Sequence, residues 1–184
     1  MPLSPPSRLL ASIVVLASVA FQAPAAGEPE DELKAAIVLS FLRYGEWPQP
    51  LAPNAPFTVG VFGRSSFADA LKRMVENKPV DQHAVRIIQL KSAAEVQGCQ
   101  VVYFASEKAP DIQVIVQSAL AGRTLTIGES KDFLNLGGAV NFLVVDGHMS
   151  FEVSLEALER TGVAVSSKLL RFGQIRSHKK EGRS

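Results

Sequence analysis

Apolar positions along this chain switch repeatedly between helical and strand spacing, and the switches mark out its elements. Over residues 28–43, Leu33, Ile37, Leu39, Phe41 and Leu42, joined by Ala35 and Ala36, give a mostly helical apolar pattern. Glu28, Glu30, Asp31 and Glu32 place carboxylates at the positive end of that helix's dipole. Gly45-Glu46-Trp47-Pro48 stops the helix, because Pro48 has no backbone N–H to continue it, and residues 48–56 read as a proline-punctuated connector. Phe57–Phe62 is a short strand-like run ended by Gly63. Ser65 or Ser66 can then cap a helix reaching Glu76, with Phe67, Ala70, Leu71, Met74 and Val75 turned inward.

The alternation repeats downstream. Residues 84–90 and 101–105 read as strands, and Pro110 opens a helix with Ile112, Ile115, Val116, Ala119 and Leu120 on its inner face and Gly122 at its end. Residues 124–128 are strand-like, and 132–136 form a helical turn. Apolar segments 139–145 and 149–153 flank Asp146-Gly147-His148, a strong hairpin signal. Ser154 caps a last main helix over 155–160 that Gly162 closes, 163–165 is strand-like, and 166–172 is a final helical turn. Short apolar strands alternating with helices predict a single three-layer α/β domain over residues 28–173, with a largely parallel sheet and an antiparallel hairpin near the C-terminus.

The ends read differently from this middle. Arg8 and the terminal amine precede an apolar run from Leu9 to Ala20, too short to span a bilayer comfortably, and Ala23-Pro24-Ala25 offers a small-residue cleavage pattern. Residues 1–25 are therefore expected to be a cleavable signal peptide that directs the chain to export. No cysteine follows the cleavage zone, which argues against a lipid anchor. Residues 174–184 are expected to be a basic, disordered tail.

Charge narrows the function classes. With 19 basic against 18 acidic residues, the chain lacks the concentrated positive face that nucleic acid requires. Cys99 is the only cysteine, so no disulfide forms within the chain. Its place before the apolar Val101-Val102-Tyr103-Phe104 suits a buried inert thiol, with a dimer-linking or redox thiol as the alternative.

Candidate chemistry is sparse. His83, His148 and His178 show no ligand spacing and no neighbouring nucleophile elbow, and the first two read as exposed polar positions. Glu129 with Asp132, and Glu152 with Glu156, fit surface or capping roles. No catalytic residue, metal site or cofactor is expected. Two groups remain as binding candidates. At the strand-to-helix turn around Gly63, Arg64 and Ser65 can hold a small anion, or simply form a tight turn and a cap; Arg171 near the C-terminus can meet an anionic ligand or form a salt bridge. Tyr44 and Trp47 at the exit of the first helix are the candidate partner-binding pair, with helix-end packing as the alternative for Trp47.

In order and spacing, several blocks together resemble a known family. These are Leu33-Lys34-Ala35-Ala36 with Phe41 and Glu46-Trp47-Pro48, then Phe57 to Gly63, Gly137 to Phe142, Phe151 to Ser154 and Ser166 to Arg171. They resemble the YfiR family of periplasmic proteins. The resemblance implies a non-enzymatic repressor that binds the periplasmic sensor domain of an inner-membrane diguanylate cyclase of the YfiN type, lowering cyclic di-GMP and hence biofilm formation. It also implies a homodimer and a capacity for small molecules. Better-studied relatives use cysteine pairs, which this chain lacks. The rival expectation is a periplasmic ligand-binding sensor that serves a sensor kinase or an outer-membrane uptake system.

Overall fold

The computed structural model describes residues 28–105 and 112–176. The expected signal peptide, Pro110 and the tail beyond Arg176 lie outside the described residues. Five α-helices and nine strands follow in order: α1 Glu28–Tyr44, β1 Gly45–Glu46, β2 Phe57–Phe62, α2 Phe67–Val75, β3 Val85–Leu90, β4 Val101–Phe104, α3 Ile112–Ala121, β5 Leu125–Gly128, β6 Val140–Val145, β7 His148–Ser154, α4 Leu155–Thr161, β8 Ala164–Val165, α5 Ser167–Leu170 and β9 Gln174–Arg176. A 3-10 turn, Ala93–Val96, precedes β4.

Seven strands form one sheet in the order β3-β2-β4-β5-β6-β7-β9. Pairing is parallel from β3 to β6, antiparallel between β6 and β7, and parallel again between β7 and β9. This is the α/β architecture that the alternation predicts. The central strands β4 and β5 are buried at every residue, as strands covered by helices on both faces must be. Their side chains divide between two cores. Val101, Tyr103, Leu125 and Ile127 pack with α1 and α2, while Val102 and Phe104 pack with α3 and Phe133.

Local signals account for several boundaries. Ser154 Oγ accepts a hydrogen bond from Ala157 N at 3.3 Å, capping α4, and Gly162 ends the helix in the left-handed region at φ 70°. At α2 it is Ser65 whose hydroxyl accepts from Phe67 N, at 3.1 Å, while the Ser66 side chain makes no capping bond. β1 and β8 pair antiparallel as a separate two-stranded ribbon. β9 takes up the first three residues of the expected tail, pairing Ile175 with Val153.

The first helix departs from the face expected of it. Val38 is fully buried alongside Ala35, Phe41 and Leu42, whereas Leu33 is 45% exposed. Lys34 is inside, with 7% exposure. Apolar residues surround this helix on most sides, so periodicity alone does not select the face that packs. Burial of Lys34 against Glu129 settles it.

Candidate functional site

An apolar groove of about 670 Å³ runs along α1. One wall is the stripe Leu33, Ala36, Ile37, Ser40 and Tyr44, which recurs at helical spacing over three turns. Met149, Ser150 and Phe151 of β7 contribute a second wall, and Ser166, Lys168, Leu169 and Phe172 around α5 close the end. Three of these side chains are unusually open for their size: Leu33 at 45%, Tyr44 at 55% and Phe172 at 78%. Exposed apolar surface gathered in one place, rather than scattered, is the mark of a docking or ligand site. Phe151 reaches from the groove into the core, where it meets the Phe41 ring edge-on at 5.7 Å.

The rotation of α1 about its axis decides which residues face the groove, and a buried polar cluster fixes that rotation. Lys34 Nζ donates to Glu129 Oε2 at 2.5 Å and lies 2.8 Å from Glu30 Oε1. The fully buried Tyr103 donates its hydroxyl to the same Glu129 oxygen at 2.9 Å. Glu129 follows β5 directly, so the cluster ties α1 to the carboxyl edge of the sheet. A small cleft beside it, lined in part by Lys34, Glu129 and Met149, shares Met149 with the groove. Glu129 was expected to have a surface or capping role; it is instead the acceptor shared by a buried lysine and a buried tyrosine.

Burial pushes the Lys34 ammonium toward neutrality, but hydrogen bonds to Glu129 and Glu30 and their negative charges outweigh it, leaving the pKa above its ordinary 10.5. Burial, with Glu129 acting in the same direction, raises the Tyr103 phenol well above its ordinary value. For a base whose folded pKa is raised, the stabilisation is complete below the unfolded value and disappears as pH rises through the folded one. The protein should therefore lose stability above about pH 10.5. Lys34→Met should remove that part of the alkaline loss in urea melts run at pH 9 and pH 11.

The candidates read from sequence separate in space. Tyr44 lines the groove. Trp47, three residues on, turns back toward the core: its ring lies 6.1 Å from Phe57 and its Nε1 donates to Leu42 O at 3.4 Å. Arg64 is exposed and Ser65 half-buried at the end of β2, which lies between β3 and β4, so that the chain crosses from one side of β2 to the other after β3. Open α/β sheets often hold ligands at such a point. Arg171 is exposed at the end of α5. No described cavity brings Arg64, Ser65 and Arg171 together.

Other expectations resolve individually. Cys99 is buried, and desolvation raises its thiol pKa, as suits an inert core residue. His148 is exposed at the hairpin. His83 is not the exposed position expected of it. It is half-buried, with Nδ1 2.7 Å from Ala55 O and its ring edge-on to Phe57 at 5.4 Å. Among the described residues, no group of three His, Cys, Asp or Glu side chains could hold a metal ion, and no helix is long and apolar enough to cross a membrane.

Comparison with known proteins agrees with this architecture. A protein-family profile described as YfiR/HmsC-like matches residues 31–174. Among solved structures, a conserved domain protein from Vibrio cholerae O1 biovar El Tor superposes with a TM-score of 0.51 at 13% identity, over 80% of this chain and 60% of that one. The ABC domain from Streptococcus pneumoniae, solved in complex with L-Trp, gives a TM-score of 0.46 at 13% identity, over 75% of this chain and 59% of its own. The chain thus spans about three-fifths of each of these structures, and the first likeness is one of fold alone.

Proposed function

We propose that this chain, which belongs to the YfiR/HmsC-like family, is a non-enzymatic periplasmic repressor of an inner-membrane diguanylate cyclase. The family is one of periplasmic regulators in cyclic di-GMP signalling, and it acts with membrane diguanylate cyclases in general. The finer reading is that this protein is exported with its signal peptide removed and binds the cyclase's periplasmic sensor domain. The groove along α1 is its docking surface.

A single observation carries that assignment: the concentration of open apolar side chains, Leu33, Tyr44 and Phe172, around one groove on a rigid α/β frame. Covering them removes apolar surface from water, and aromatic side chains such as Tyr44 are typical anchors of protein interfaces. Repression then follows from differential binding. The protein must bind the inactive conformation of the sensor domain more tightly than the active one, since equal affinity would shift nothing.

Deletion of the gene tests this reading. Cellular cyclic di-GMP should rise several-fold when the cyclase is expressed, and fall again on complementation. An unchanged level in cells that demonstrably contain both proteins would count against repression. A ligand-sensing module serving a kinase or uptake system is the second reading, favoured by a groove whose size suits a small molecule.

A further inference from the structure

We infer that the groove accepts a single-chain amphiphile with one anionic head group, in chemical class a fatty acid, and that this ligand and the partner exclude each other from α1. The second half rests on the docking role proposed above; the first does not.

Charge and shape select the occupant. The groove lining contains one charged residue, Lys168, and no carboxylate. Lys168 is exposed at the α5 end, and among the described residues no carboxylate pairs with its ammonium. The Ser166 hydroxyl is engaged in capping, accepting from Lys168 N at 3.3 Å, and Ser40 Oγ donates to Ala36 O at 2.8 Å. The remaining wall is mostly apolar, so a ligand that fits it carries little polarity beyond one anionic end.

Length agrees as well. From Leu33 to Tyr44 the helix rises roughly 16 Å, a span suited to an extended medium-length acyl chain. The volume lies within the usual range for small-molecule sites. A ligand of this kind would cover Leu33, Tyr44 and Phe172, the same surface a protein partner needs, and so would act as a releasing signal.

Titration calorimetry on the mature protein, purified after export, tests the ligand site without any partner. Laurate, kept below its micelle concentration, should bind saturably with one-to-one stoichiometry. Octanoate, four methylenes shorter, should bind at least about tenfold more weakly, since each buried methylene adds affinity even where the groove covers the chain only partly. Lys168→Gln should weaken laurate about three- to fivefold, the upper part of the range of an exposed ion pair, and dodecanol should bind the unaltered protein about as weakly.

Ala36→Trp, which fills the groove's midpoint, should abolish uptake. Leu33→Asp, at an open position that tolerates a charge, serves if the tryptophan variant melts early. Three results would overturn the inference: no saturable binding, binding undiminished in both groove variants, or equal affinity for laurate and dodecanol. A dimer that Ala36→Trp dissolves, in a protein that takes up no laurate, would assign the groove to a second copy and also overturn it. If laurate binds through the groove yet leaves a captured cyclase sensor domain in place, mutual exclusion is refuted. If no such domain is ever captured, it is the repressor reading that fails, while the ligand site stands.

Discussion

Ala36→Trp should raise cyclic di-GMP to the level of the deletion strain while leaving the protein folded. Ala36 is half-buried and sits between Leu33 and Ser40 on the open stripe of α1, so an indole there projects into the groove rather than into the core. The core contacts of this helix come from Ala35, Val38, Phe41 and Leu42 on its other side, and the substitution leaves them in place. A hot-spot position near the centre of an interface costs about 2 kcal/mol or more when disturbed, which is roughly thirtyfold in affinity. The melting temperature should stay within a few degrees of the unaltered protein. A variant that melts normally and still represses would remove the groove from the docking surface.

Gly138→Ala should be among the most damaging small substitutions in the fold. A methyl group at 138 would lie 2.2 Å from Phe133 Cε1, and one at Gly128 would lie 2.5 Å from the same ring. The Phe133 ring is fully buried and also packs against Phe104 at 5.2 Å, so it has little room to retreat. Overpacking of this kind costs up to about 3 kcal/mol, which in a domain of this size is a fall of roughly 10 °C in melting temperature. The loss should depend on the ring. Adding Gly138→Ala to Phe133→Leu should cost far less than adding it to the unaltered protein, as contacting residues fail additivity. A melting point within about 2 °C of the original would mean that the close approach does not constrain the fold.

That pair of glycines shows what the sequence can and cannot reveal. Gly137-Gly138 stands out as a motif, and glycine limits the choice to special backbone or close approach, but nothing local identifies Phe133 as the reason. The long strands, the Asp146-Gly147 hairpin turn, the Ser154 cap and the Gly162 stop were all legible, because each depends on residues within a few positions of itself. β8 falls within the strand-like segment 163–165, whereas β1 and β9 were not legible, since two or three residues cannot display a period and only tertiary pairing defines them.

The site was less legible than the fold. Its walls come from α1, β7 and α5, segments that no spacing rule connects. Tyr44 is a candidate from sequence alone, whereas Leu33 reads only as part of the apolar pattern of the first helix and Phe172 only as part of a final turn. One signal does lie in the sequence: Lys34 stands within the run Leu33-Lys34-Ala35-Ala36-Ile37-Val38, where a single charge inside an otherwise apolar run suggests a buried partner. With Glu129 and Tyr103 as that partner, α1 is held in the one rotation that buries Val38 and opens Leu33. The groove is thus a consequence of a polar contact formed across 95 positions of sequence.

Docking through this face is most directly tested by site-specific photocrosslinking in cells. A benzophenone side chain at Phe172, the most open of the large apolar residues among those described, should crosslink to the periplasmic domain of a membrane diguanylate cyclase, with the product identified by mass spectrometry. The same group at Val114, exposed on α3 across the sheet, should not. Crosslinking to the cyclase from Val114 and not from Phe172 would contradict docking through the groove.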